Sequence, residues 1–464
     1  MRNKKKPSHP YIPNSASETK AKMLKEIGIK DIDELYSDIP QNLRFKGKMN
    51  LPDPLLSEYA LERHVKGILS QNQTCEENIS FLGGGCWFHY VPAICDEINH
   101  RSEFLTAYGG EPYEDHGRFQ ALFEYQSLMA EMVDMDVVNV PTYDWSQAAS
   151  TSLRMVARIT KRNEIIIADT VSPDRLLVIQ NYCRPVNTIK MINHSHETGL
   201  MDLDDLKSKI SSSTAGVYFE NPSYLGFVET QGRAISEIAH EMGALSVVGV
   251  DPISLGIIVP PCHYGADIVC GDIQPFGIHM NYGGGLGGFI ATRDDEKFVM
   301  EYPSRLFGIT ETSVEGEYGF GDVAYERTSF AEREEGKEFI GTCAALWGIT
   351  AGVYLALMGP KGIQELGKHI IQKSRYAMMK LSEIKGVKAP LFKSHHFKEF
   401  VVDFNGTGKT VGEINKALRE HQIFGGKDLS KEFPELGNCA LYCVTEVHTK
   451  EDIDILVQAL KNFL

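Results

Sequence analysis

A large α/β domain with a mostly parallel sheet, followed by a smaller C-terminal α+β domain, is the fold class this sequence predicts, on three observations. From residue 137 onward, strand-like and helix-like stretches alternate, the rhythm of right-handed βαβ crossovers. The strand-like stretches are apolar and rich in β-branched residues, which suits strands covered on both faces. Near the C terminus the pattern becomes FKEFVVDF, TVGEINKALREHQI, NCALYCVTE and KEDIDILVQALKNFL, two strands and two helices that read as a smaller domain.

Taken in order, residues 1–80 read as an N-terminal arm with helices. AKMLKEIG and DIDELYSDIP are short amphipathic turns broken by Gly28 and Pro40, and LSEYALERHVKGILSQN is a longer helix. FLGGGCWFHY at 81–90 sets three glycines before aromatics, the mark of either a close backbone approach or a flexible loop. A helix is expected over 91–102. The following loop gathers Tyr108, Glu111, Tyr113, Glu114, Asp115, His116 and Arg118. Acids, bases and an aromatic pair at that density either line a site or form a solvated surface.

The large α/β domain is expected over 81–340. VVNVPTYD leads to the helix WSQAASTSLRMVARITKR, then EIIIADT, PVNTIKMI, TAGVYFEN and SVVGVD follow with helices between them. Ligands of such sheets sit at the carboxyl ends of strands, where Asp144, Asp169, Asn221 and Asp251 fall. Residues 246–293 hold three β-rich pieces, SVVGVD, ADIVCGD and GGFIATR. The first closes on Asp251, which reads either as a turn cap or as a ligand-facing carboxylate. The second runs into Gln274, and Gly277, Gly283, Gly284, Gly285, Gly287 and Gly288 leave the backbone room for a close neighbour. Residues 294–340 read as irregular. Residues 341–464 comprise linking helices, with a boundary at Gly359 and Pro360, and the small α+β domain.

The 464 residues are 42% hydrophobic and 23% charged, enough for a large core, and carry a formal charge of −15. That balance opposes a nucleic-acid or anionic-membrane partner. Nine cysteines without a Cys-x-x-Cys pair predict reduced thiols, and a basic start without an apolar stretch predicts a cytoplasmic protein. No apolar run approaches the roughly 20 residues of a membrane-spanning helix. Glycines 283, 285 and 288 spell G-x-G-x-x-G, but a strand follows them where a dinucleotide site needs a helix. His194 with His196, and His395 with His396, lack a spaced third ligand, so no metal is expected.

An Asp at one strand end and a glycine-rich turn after the next strand resemble the cofactor segment of fold-type I pyridoxal phosphate (PLP) enzymes. In that family an Asp pairs with the pyridine nitrogen and a Lys one strand later forms the Schiff base, an exchangeable imine. Asp251 suits the first role, whereas Gln274 stands at the second, and a carboxamide cannot form an imine.

Nearly the full length resembles one family within that fold. YIPNS with MLKEIG and LYSDIP, FLGGG with HYVPAICDEI, RSEFLTAY and ALFEYQ, DPISLG with HYGADIV, GDIQPFGI, VYLALMGPKGIQEL and INKALREHQIFGGKDLSKEFPELGNCALYCVTE are similar to subunit 1 of the two-subunit glycine decarboxylase, the P-protein family of the glycine cleavage system. The resemblance implies an incomplete copy that pairs, as two copies of each chain, with a PLP-bearing subunit 2. Glycine would lose CO2 and its aminomethyl group would pass to the lipoyl arm of the H-protein. It also implies that Tyr108, Glu111, Tyr113 and His116 reach the partner's site, and that Asp144, Asn221, Asp251 and Gln274 are vestigial or partner-facing. Loops at 109–118, 145–147, 282–285 and 333–339 depart from the family pattern, which leaves a different amino acid or amine as substrate, or a purely structural or regulatory subunit, as alternatives.

Overall fold

The computed structural model describes residues 11–12, 15–104, 116–340 and 344–464. They form two contact units, Met1–Asn72 and Gln73–Leu464. In the first, the helices Ser17–Ile27 and Glu58–Leu69 bury no side chain.

The second unit is built on seven strands: β1 (Val137–Val138), β2 (Glu164–Ala168), β3 (Thr188–Ile192), β4 (Thr214–Glu220), β5 (Leu245–Val250), β6 (Ile268–Asp272) and β7 (Gly288–Thr292). Their order across the sheet is β1-β7-β6-β5-β4-β2-β3. Strands β2 to β6 run parallel, and β7 runs antiparallel to both β6 and β1. Every residue of β2, β4, β6 and β7 is buried, as the unbroken apolar runs demand of strands covered on both faces. The helix Trp145–Thr160 packs tightly on this sheet. Gly216 and Gly249 make room for it, since a Cβ on either would stand 2.8 Å from Val156 or Trp145.

Two stretches differ from the sequence expectation. VVNVPTYD supplies only the two-residue β1 and an isolated bridge from Thr142 to Gly288, because Pro141 interrupts the ladder. The irregular stretch after 293 contains an antiparallel hairpin, Phe307–Glu311 with Tyr318–Asp322. Its second strand, YGFGD, carries two glycines and little β propensity, so pairing rather than local preference makes it a strand.

The expected boundary at Gly359 and Pro360 is a kink inside Ala345–Ser382, where Gly359 takes φ 60° and ψ 177°. Glu399–Asp403, Cys439–Cys443 and Lys427–Asp428 then form a small antiparallel sheet. The helices Val411–Arg419 and Lys450–Phe463 both start with capping boxes, Thr410 with Glu413 and Thr449 with Asp452. Upstream of the large sheet, Ile79–Ser80 pairs in parallel with Ile423–Phe424, and Phe81 is fully buried in the same core as Phe400 and Tyr442. The FLGGG stretch therefore begins inside the C-terminal layer and runs from there across the carboxyl ends of the large sheet.

Candidate cofactor site

At the carboxyl edge of β5 the first turn begins with Asp251. One carboxylate oxygen accepts from the N–H of Ile253 at 3.2 Å, so the capping role is real. The other lies 2.7 Å from Lys398 Nζ, and both side chains are almost wholly buried. Two opposite charges buried at this distance form an ion pair. Lys398 precedes the strand Glu399–Asp403, so the two charges meet across the junction of the large and small sheets.

Two aromatic groups close over the lysine. Its Nζ stands 3.5 Å from the centroid of the Trp87 ring, and 3.2 Å from His89 Nε2. With the ammonium as donor, His89 accepts at Nε2 and donates from Nδ1 to Glu446 at 2.8 Å. The CWFHY stretch thus lays its backbone over the end of the sheet. Gly83 is what allows it so close: a Cβ there would sit 2.2 Å from Glu399 Oε1 and 2.8 Å from Cys443 Cβ. The three glycines therefore serve a close approach of two segments of this chain, and the Gly84 N–H donates to Glu399 at 2.6 Å. Burial pushes the neighbouring Cys86 thiol up to about 12, which leaves it unreactive.

Gln274, one strand beyond Asp251, is buried and fully engaged. Its Oε1 accepts from the Trp87 N–H at 3.1 Å, and its Nε2 donates to the Trp87 and Ile278 carbonyls at 3.0 Å each. A carboxamide carries both a donor and an acceptor, and here it pairs with both backbone groups of Trp87. The lining is completed by Arg175, whose guanidinium makes a bidentate pair with Glu220 at 2.6 and 2.8 Å and lies 4.0 Å from the centroid of the Trp145 ring.

The remaining sequence candidates have local partners. Asp144 caps the helix Trp145–Thr160 by accepting from the Gln147 N–H at 2.7 Å, while Asp272 accepts from the Trp145 N–H at 3.2 Å. Asn221 clasps Glu229, accepting from its N–H at 3.0 Å and donating to its carbonyl at 3.1 Å. Asp169 pairs with His194 at 2.8 Å. Tyr108, Glu111, Tyr113, Glu114 and Asp115 lie outside the described residues, as does the side chain of His116. The neighbour for which the glycine-rich turn makes room is the chain itself: a Cβ on Gly288 would meet the Asp144 carbonyl at 2.0 Å.

These residues do not fit a pyridoxal phosphate. No imine-forming amine stands at 274, and the carboxylate that would meet a pyridine nitrogen already faces the Lys398 ammonium. Two N–H groups of the first helical turn, natural donors to a phosphate, are taken by Asp144 and Asp272. What remains between Trp87, Trp145, Arg175, Asp251 and Lys398 is a void of about 10 Å³, room for one water at most. Lys398, Trp87 and His89 were not singled out from the sequence. The one signal for Lys398 was a charged KE pair opening an otherwise apolar strand.

Comparison with known proteins places this geometry. The family described as "Glycine cleavage system P-protein" matches residues 9–460. A Staphylothermus marinus protein named "Probable glycine dehydrogenase (decarboxylating) subunit 1" is 42% identical over 98% of both chains. One of the same name from Thermococcus onnurineus is 41% identical, covering 97% of this chain and 98% of its own. Among solved structures, a glycine decarboxylase (P-protein) of the glycine cleavage system in inhibitor-bound form superposes with a TM-score of 0.84 at 31% identity, over 98% of this chain and 100% of that one. A sphingosine-1-phosphate lyase from Burkholderia pseudomallei shares the fold alone, with a TM-score of 0.64 at 14% identity over 91% of this chain and 94% of its own.

Proposed function

The chain belongs to the glycine cleavage system P-protein family, and on that premise we propose that it is subunit 1 of a glycine dehydrogenase (decarboxylating), an oxidoreductase, working as the half that holds no cofactor of its own. The observation that carries the second part is the filled site: Lys398 opposite Asp251, Trp87 above it, and Gln274 binding the Trp87 backbone.

In this reading PLP is bound covalently by a Lys-bearing partner subunit, in an assembly with two copies of each chain. The complex removes CO2 from glycine and hands the aminomethyl group to the lipoyl arm of the H-protein. This chain supplies a rigid face to the partner's site rather than a reacting group. The loop bearing Tyr108, Glu111, Tyr113 and His116 is the segment assigned to reach the partner, on the strength of the family resemblance and its dense polar composition. Asp144, Asn221, Asp251 and Gln274 keep their ancestral places but now hold the fold together, each by the hydrogen bonds or ion pair described above.

The test is to purify the chain alone and with its Lys-bearing partner, add PLP, reduce with borohydride and map the label. The Gln274→Lys variant is carried in parallel. Label is expected only in the partner, in wild type and variant alike, because Trp87 and Lys398 still fill the space. CO2 exchange with glycine and lipoyl H-protein is expected only for the pair. A labelled lysine in this wild-type chain, or exchange by the chain alone, would sink the reading. Turnover by the pair of another amine but not glycine would remove the substrate half and leave the subunit role standing.

A further inference from the structure

We propose that Asp134, Cys262 and His263 form a binding site for one zinc-like divalent cation, which ties the carboxyl end of the helix His116–Val133 to the turn Pro261–Tyr264. A thiol, an imidazole and a carboxylate are the three side-chain types from which protein zinc sites are built. Among the described residues this is where three such groups meet, with one ligand atom from each within 4.8 Å of the other two.

The spacing suits a tetrahedral ion. Asp134 Oδ2 lies 2.5 Å from His263 Nε2 and 3.9 Å from Cys262 Sγ. Zinc bonds of about 2.0–2.3 Å place the ligand atoms of a tetrahedron about 3.3–3.8 Å apart. Admitting the ion therefore asks the imidazole and carboxylate to part by about an ångström, a small rotation for side chains that are half exposed.

The backbone holds all three in place. Cys262 and His263 are consecutive in a short 3-10 turn entered through Pro260 and Pro261, whose rings fix φ. Arg233 donates to the His263 carbonyl at 3.0 Å. Asp134 takes the left-handed conformation, φ 51°, directly after the last helical residue, and the Met135 N–H returns to the Ala130 carbonyl at 3.1 Å.

The Cys262 S–H faces the Val133 and Asp134 carbonyls at 3.6 and 3.2 Å, at the end of an 18-residue helix, and gives up that proton when the ion binds. The nearby Arg293 pairs with Asp136 at 3.4 Å. Three protein ligands leave a fourth position for water or for a donor from another chain. The alternative is an ordinary surface Asp–His pair beside a cysteine, and the two differ in what they do with metal.

The full chain, stripped of metal and dialysed against zinc chloride, is expected to retain one zinc per chain by plasma mass spectrometry and to melt at higher temperature with metal than without. Loaded with cobalt(II) instead, it is expected to show a thiolate-to-cobalt charge-transfer band. Cys262→Ser combined with His263→Ala should remove the band, the retained zinc and the thermal shift, whereas Cys75→Ser should leave all three. No zinc retained by wild type, or zinc and cobalt spectra unchanged in the double variant, would overturn the proposal. These side chains are partly exposed, so the double variant should fold, and circular dichroism checks that it does.

Discussion

Truncating Lys398 to Met would leave the Asp251 carboxylate buried without its cation. Removing one partner of a buried pair typically costs about 3–5 kcal/mol, more than the pair's net worth, because the other charge stays desolvated. Urea unfolding of Lys398→Met should report a loss of that size. The double variant Lys398→Met with Asp251→Leu should recover most of it, and no recovery would mean the pair is not the unit that fills this space. Asp272 makes a second prediction at the same scale. Burial pushes its carboxyl up to about 7, against three backbone N–H groups that pull the other way. In the unfolded chain the same group titrates near 4. Between those values the folded state binds the proton and the unfolded state does not, so stability falls as pH rises from about 4 to about 7. Asp272→Asn removes that dependence. Wild-type stability minus variant stability should therefore decline across that window, and a flat difference would refute the shift.

At the scale of elements, the site exists because two segments close on Glu399 where each lacks a side chain, at Gly83 and at Gly226. Gly226 is the most constrained: its φ is 90°, and a Cβ would stand 2.0 Å from the Glu399 carbonyl oxygen. Gly226→Ala should destabilise the protein by about 3 kcal/mol in denaturant unfolding, since both the left-handed conformation and a rigid backbone neighbour oppose it. A loss below about 1 kcal/mol would show that the turn relaxes away from Glu399. The elements themselves were largely legible beforehand. The alternation of SVVGVD, ADIVCGD and GGFIATR with glycine-rich turns marked β5, β6 and β7, because strands buried on both faces must be apolar throughout. The hairpin at 307–322 was not legible, since a strand such as YGFGD is made by its partner. Nor was the approach of the CWFHY segment to Lys398, residues separated by most of the chain.

For the whole molecule, the formal charge of −15 speaks against a polyanionic partner, and among the described residues no helix is long and apolar enough to cross a membrane. The sequence by itself determined the fold class, the family and the carboxamide at 274, because these rest on residue identity and on periodicity along the chain. Only the tertiary structure decided that the space beside Asp251 is filled from within, by Lys398 and Trp87, and that Asp134 stands beside Cys262 and His263. Both depend on distances between residues more than a hundred positions apart, which packing sets and no local pattern encodes.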